Sequence, residues 1–154
     1  MSDSPQRSPR WFVRGDVDGF FGLALDNLIQ LLLIDALCRF VLGFPNELLY
    51  GQVLPGAAVS ILAGNLFYSW QAMKLGRALG RDDICALPYG INTPSVFAYV
   101  FLVMFPVKLA TGDPHLAWQA GLVACLGSGV IELCGAPRAD WLRRHVPRAA
   151  LLSA

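Results

Sequence analysis

From Leu48 to Met73 the chain runs 26 residues without an Asp, Glu, Lys or Arg, and from Ile84 to Val107 it runs another 24. At about 1.5 Å per helical residue the first run reaches roughly 39 Å, more than the ~30 Å hydrocarbon core of a bilayer. A third uncharged run, Leu116 to Ile131, is followed by Glu132. A fourth apolar stretch, Gly19 to Gly43, contains Asp26, Asp35 and Arg39. The expected fold is an all-α membrane protein with four transmembrane segments, at about 19–43, 48–73, 84–107 and 116–136. Together they form one bundle over residues 19–137. Residues 1–18 read as a cytoplasmic tail. Residues 138–154 read as a basic cytoplasmic turn entering a fifth apolar segment that is cut short, which suggests the N-terminal piece of a longer protein.

Composition narrows the function classes. Charged residues make up 15% of the chain, hydrophobic ones 55%, and the formal net charge is +1. An average soluble domain carries about 25% charged residues. Disorder, coiled coil and a basic nucleic-acid binder are excluded. No apolar secretory segment precedes Gly19. Cys38, Cys85, Cys125 and Cys134 have no C-x-x-C spacing and read as buried free thiols. No H-E-x-x-H, G-x-S-x-G or carboxylate pair at metal spacing occurs, so neither an enzyme, a metal nor a cofactor is expected. His115 and His145 read as surface residues.

Cations sort by loop. Arg7, Arg10 and Arg14 precede segment one; Lys74, Arg77 and Arg81 lie between segments two and three; Arg138, Arg143, Arg144 and Arg148 follow segment four. Only Arg39 and Lys108 fall elsewhere. Retention of positive loops inside the cell places both termini in the cytoplasm, in a multi-pass protein of the cell (inner) membrane.

Segment one carries polar residues that the bilayer penalises. On a helical wheel Gly19, Gly22, Asp26 and Gln30 fall within about 80° of each other, with Asn27 on the flank. An ionised Asp at the bilayer centre costs about 2.5–3.5 kcal/mol on insertion scales, so Asp26 must meet protein, water or a ligand. Asp26 and Asn27 are candidates for a substrate or proton site; polar contact between helices is the alternative. Asp35 and Arg39, spaced i,i+4, read as a structural pair. Gly56, Ser60 and Gly64 in segment two, and Gly121, Cys125 and Gly129 in segment four, form small-residue stripes suited to close helix packing.

Segment three is irregular. Pro88, Gly90, Asn92 and Pro94 crowd its first half, where helix disfavours each of them. Thr93 before Pro94 reads as an N-cap followed by a first-turn proline. A helix from Pro94 to about Phe105 would measure roughly 18 Å, too short to span alone, after an extended stretch from Ile84 to Thr93. Non-helical backbone at that depth is tolerated only within protein or against a cavity, and the helix start would present N–H groups to a polar or anionic solute. Broken helices of this kind build sites in secondary transporters. A continuous helix kinked at Pro94 is the other reading.

The run Ala86-Leu-Pro-Tyr-Gly-Ile-Asn-Thr-Pro-Ser-Val-Phe-Ala-Tyr99, after a basic loop, resembles the third transmembrane segment of the xanthine/uracil permeases, the nucleobase–cation symporters with their guanine/hypoxanthine branch. The resemblance covers about Gly15 to Ala154. It implies the first part of a seven-plus-seven inverted-repeat transporter fold, with a third segment made of a short extended stretch and a half-helix. It also implies that Tyr89, Gly90, Ile91, Asn92 and Thr93 line a substrate pocket. Where those permeases often carry Gln-His in segment one, this chain has Asp26-Asn27. The resemblance further implies a coupling proton or sodium ion, and the lipid bilayer and a small polar solute as partners. A second copy of the chain is a further candidate partner; nucleic acid is not. The alternative, from another class, is a complete four-helix membrane scaffold or subunit without transport activity.

Overall fold

The computed structural model describes residues 12–138. The outer part of the tail, His145 and the fifth-segment expectation lie outside the described residues. Four helices are long and apolar enough to cross a membrane: α1 Gly15–Val41, α2 Asn46–Leu79, α3 Thr93–Thr111 and α4 Pro114–Gly135. No strand occurs among the described residues. The chain divides into two compact units, at Phe97 and Ala98.

In the first unit, α1 and α2 form a hairpin. α1 widens into a π-turn over Leu37–Val41, and Gly43 then takes the left-handed conformation at φ 62°. Phe44 N–H closes back onto the Cys38 carbonyl at 2.9 Å, and Pro45 leads into α2. Leu42, Leu48 and Leu49 are fully buried around this bend, with Leu37, Cys38, Phe44 and Val53 beside them. The expected Asp35–Arg39 pair is present. Arg39 Nη2 lies 3.1 Å from Asp35 Oδ1, and Arg39 also donates to Asn46 Oδ1 at 3.2 Å and to the Tyr50 hydroxyl. One guanidinium thus ties the end of α1 to the first turns of α2.

α2 is 34 residues long, about 51 Å, and so projects beyond the apolar layer with Lys74 and Arg77 on its last turns. Gly80, at φ 63°, ends it, and Arg81 N–H bonds the Gly76 carbonyl. Just past this cap Arg81 grips Asp83 with two bonds, Nε to Oδ1 at 2.8 Å and Nη2 to Oδ2 at 2.7 Å. That guanidinium holds the Asp83 carboxyl below its ordinary 3.8. A carboxyl lowered on folding stabilises the fold above its unfolded value, and the contribution disappears as pH falls through the lowered value. Arg81→Ala should raise the Asp83 titration midpoint, read by NMR, with little change in stability because the pair is solvent-exposed. An unmoved midpoint would contradict the assigned cause.

In the second unit, α4 packs on the middle of α3 through Val100, Met104 and Ala117, all buried. The corner is tight. Gly112 caps α3 at φ 70°, and Asp113 starts α4 by accepting from His115 N–H at 2.8 Å.

α3 departs from expectation in length. It continues through Pro106 to Thr111, 19 residues in all, where the sequence suggested a 12-residue half-helix ending near Phe105. The π-turn Tyr99–Met104 explains the difference. A proline ring collides with the carbonyl four residues back in regular helix. A wider turn just ahead of it moves that carbonyl aside, and the helix carries on. The same device occurs in α2, where the π-turn Leu49–Val53 precedes Pro55.

Among the described residues the interior is apolar except for Asn27, and much of the surface is apolar too. Phe20, Phe40, Leu102 and Leu133 are 65%, 80%, 76% and 74% exposed, while Asn27 is 8% exposed. Apolar side chains facing outward along four long helices fit a lipid environment. The thiols correct an expectation: none of the four forms a disulfide, but only Cys38 is buried, and Cys85, Cys125 and Cys134 are exposed on the chain.

Candidate functional site

The first unit brings the polar face of α1 against the non-helical stretch before α3. Residues 81–92 carry no helix, and α3 begins at Thr93. Its cap is Asn92, one residue earlier than expected. Asn92 Oδ1 accepts from Ser95 N–H at 3.3 Å, and Val96 N–H bonds the Asn92 carbonyl at 3.0 Å. This leaves few open donors at the helix start. Pro94 has no N–H and Ser95 is capped, so only the Asn92 and Thr93 amides remain without a bond among the described residues. The helix end offers an anion less than its position suggests.

The non-helical stretch is held by a residue the sequence reading did not single out. Asn65, in mid α2, donates to the Tyr89 carbonyl at 2.8 Å and accepts from the Tyr89 N–H at 3.1 Å. One side-chain amide thus takes the place of a neighbouring strand for this residue. The Tyr89 ring lies against Gly64 and at 6.0 Å, centre to centre, from the Tyr68 ring. A Cβ on Gly64 would overlap the Tyr89 ring itself.

The small-residue stripes therefore serve unequal roles. Gly64 seats a ring, and a Cβ on Gly121 would fall 2.8 Å from Met104 Sδ; one on Gly56 or Gly129 would meet nothing within 4 Å. Gly64→Ala should destabilise by about 1–3 kcal/mol, the usual cost of overpacking. Gly121→Ala should lose less, because a methionine side chain bends away where a ring cannot. Thermal unfolding in mild detergent measures both, and equal losses would contradict the ring-seat assignment.

Across from the stretch stand Asp26, Asn27 and Gln30 of α1. Gln30 Nε2 donates to Thr93 Oγ1 at 2.7 Å. Asn27 Nδ2 donates to the Leu23 carbonyl at 3.0 Å, which fixes its amide, since a flip would set oxygen against oxygen. Its Oδ1 then points at Gly90, where a Cβ would lie 3.2 Å from that oxygen and 3.7 Å from Asp26 Oδ2. Asn27 Oδ1 and Gln30 Oε1 are both buried without a partner. Asp26 is exposed on the chain and its carboxylate has no hydrogen bond among the described residues.

Of the seven residues expected to line a pocket, the structure thus brings Asp26, Asn27 and Gly90 together. Thr93 joins them through Gln30. Tyr89 has both backbone groups occupied by Asn65, the Asn92 side-chain oxygen is spent on the cap, and Ile91 is half-buried without a polar contact. Asn27 Oδ1 and Asp26 Oδ2 of α1 thus stand beside Gly90 in the break of the chain. No cluster of three metal-binding side chains occurs among the described residues.

No protein-family model matches the chain, and neither a curated protein nor a solved structure matches it. The class follows from the fold itself: four apolar helices of spanning length, the architecture of a multi-pass membrane protein.

Proposed function

We propose that the chain is the N-terminal part of a secondary active transporter, a permease for a small polar solute of the xanthine/uracil nucleobase type, coupled to a proton or sodium ion. It sits in the cell membrane with both termini in the cytoplasm and performs no covalent chemistry. The observation that carries the reading is the Asn27 side chain, 8% exposed, with its oxygen held toward Gly90 and no donor for it. A buried acceptor left unmatched costs about 1–3 kcal/mol, which a ligand N–H would recover. Nucleobases present N–H groups at their edges. The open acceptors at Asn27 and Asp26 suit those N–H groups.

Cellular uptake of labelled xanthine, uracil, guanine and sulfate by the intact protein tests this. Uptake of a nucleobase should fall about tenfold in Asn27→Leu, the loss of one hydrogen bond of about 1.4 kcal/mol, with membrane insertion unchanged. It should also fall in Asp26→Ala, and in Asn92→Ala through loss of the α3 cap. Uptake of none of these solutes, or uptake indifferent to Asn27 and Asp26, would remove the reading and favour a scaffold.

A further inference from the structure

A groove lies at the end of α2 that carries Lys74, beyond Tyr68. The last turns of the helix and the returning chain at 84–87 border an open groove of about 540 Å³. Its walls are chiefly apolar, with Trp70, Leu75 and Ala78 on the helix and Cys85 and Leu87 on the returning chain. One cation stands in it. Lys74 is the first charged residue after the 26-residue uncharged run, so it marks the level where hydrocarbon gives way to headgroups. Its ammonium sits over the Trp70 ring, 5.2 Å from the centre, and forms no salt bridge with an acid among the described residues. Nearby Arg81, by contrast, is matched by Asp83. Trp70 is placed as interfacial tryptophans are, ring in the boundary layer.

We propose that this groove is a binding site for an anionic phospholipid of the leaflet on the Lys74 side. An acyl chain lies along Leu75, Ala78 and Leu87, and the phosphate meets Lys74. The charge selects the occupant: an apolar wall alone accepts any lipid, but an unneutralised ammonium at headgroup level favours a net negative one. By the loop charges this is the cytoplasmic leaflet, where anionic lipids concentrate.

The test is native mass spectrometry of the full chain released from phosphatidylglycerol/phosphatidylcholine micelles with matched acyl chains. Phosphatidylglycerol should be retained in preference, by about fivefold, the worth of one interfacial lysine. Lys74→Gln should abolish the preference and Lys74→Arg should keep it. Ala78→Trp, which fills the groove but keeps the charge, should reduce retention of both lipids. Arg77→Gln removes the same charge from the same helix without touching the groove, and should leave the preference intact. Equal retention of the two lipids by the parent chain would overturn the proposal. So would a loss in Arg77→Gln as large as in Lys74→Gln, which would mean general surface charge. Exclusion of lipid by a second copy of the chain would overturn it as well.

Discussion

Asn65→Leu should cost about 2–5 kcal/mol, the largest loss expected from any single substitution in the first unit. Two backbone groups of Tyr89 depend on that one amide, and each left unpaired away from water costs about 1–3 kcal/mol. Leucine matches asparagine in size, so packing changes little and the lost pairing dominates. Asn65→Asp separates the two bonds: the carboxylate still accepts from the Tyr89 N–H but sets oxygen against the Tyr89 carbonyl. It should be nearly as damaging as leucine. Unfolding in mixed micelles measures both. A change under about 0.5 kcal/mol in Asn65→Leu, the size of an ordinary surface substitution, would show that Tyr89 finds other partners and that α2 does not hold the non-helical stretch.

Arg39→Ala should follow as the next largest loss. It strips Asp35 of its charge partner inside an apolar helix and releases Asn46 and the Tyr50 hydroxyl. The size comes from the carboxylate left behind more than from the attraction lost. The double variant Asp35→Leu/Arg39→Met should therefore recover most of the loss, because it leaves no unpaired charge on the apolar helix. A double-mutant cycle decides it. Purely additive losses at the two positions would mean that the pair contributes no coupling and that the bend is held by its leucines alone.

These two positions also show where the sequence was legible. Asp35 and Arg39 could be paired by counting, because four residues is one helical turn. The same arithmetic placed Asp26, Gln30 and Asn27 near one face. The break before α3 was readable because Pro88, Gly90, Asn92 and Pro94 each resist helix, and four together outweigh an apolar background. Asn65 was not readable. It bonds the Ile61 carbonyl as any mid-helix asparagine can, and its other partner is 24 residues away with no local signature. The π-turns were hidden for a related reason. Proline reports that a regular turn is impossible, but whether the helix stops or widens depends on packing, and at Pro106 it widens. The open acceptor at the site emerged only when the Asn27 amide proved fixed.

The buried leucines at positions 42, 48 and 49 gather at the bend between α1 and α2, and the Arg39 bonds gather there too. A hairpin fastened at its knee behaves like tongs. Resistance to opening should be greatest beside the bend and should decline along both arms toward Gly15 and Leu79. Amide exchange read residue by residue would then rise smoothly with distance from Gly43. The arms can part by small angles at their tips while the knee stays shut.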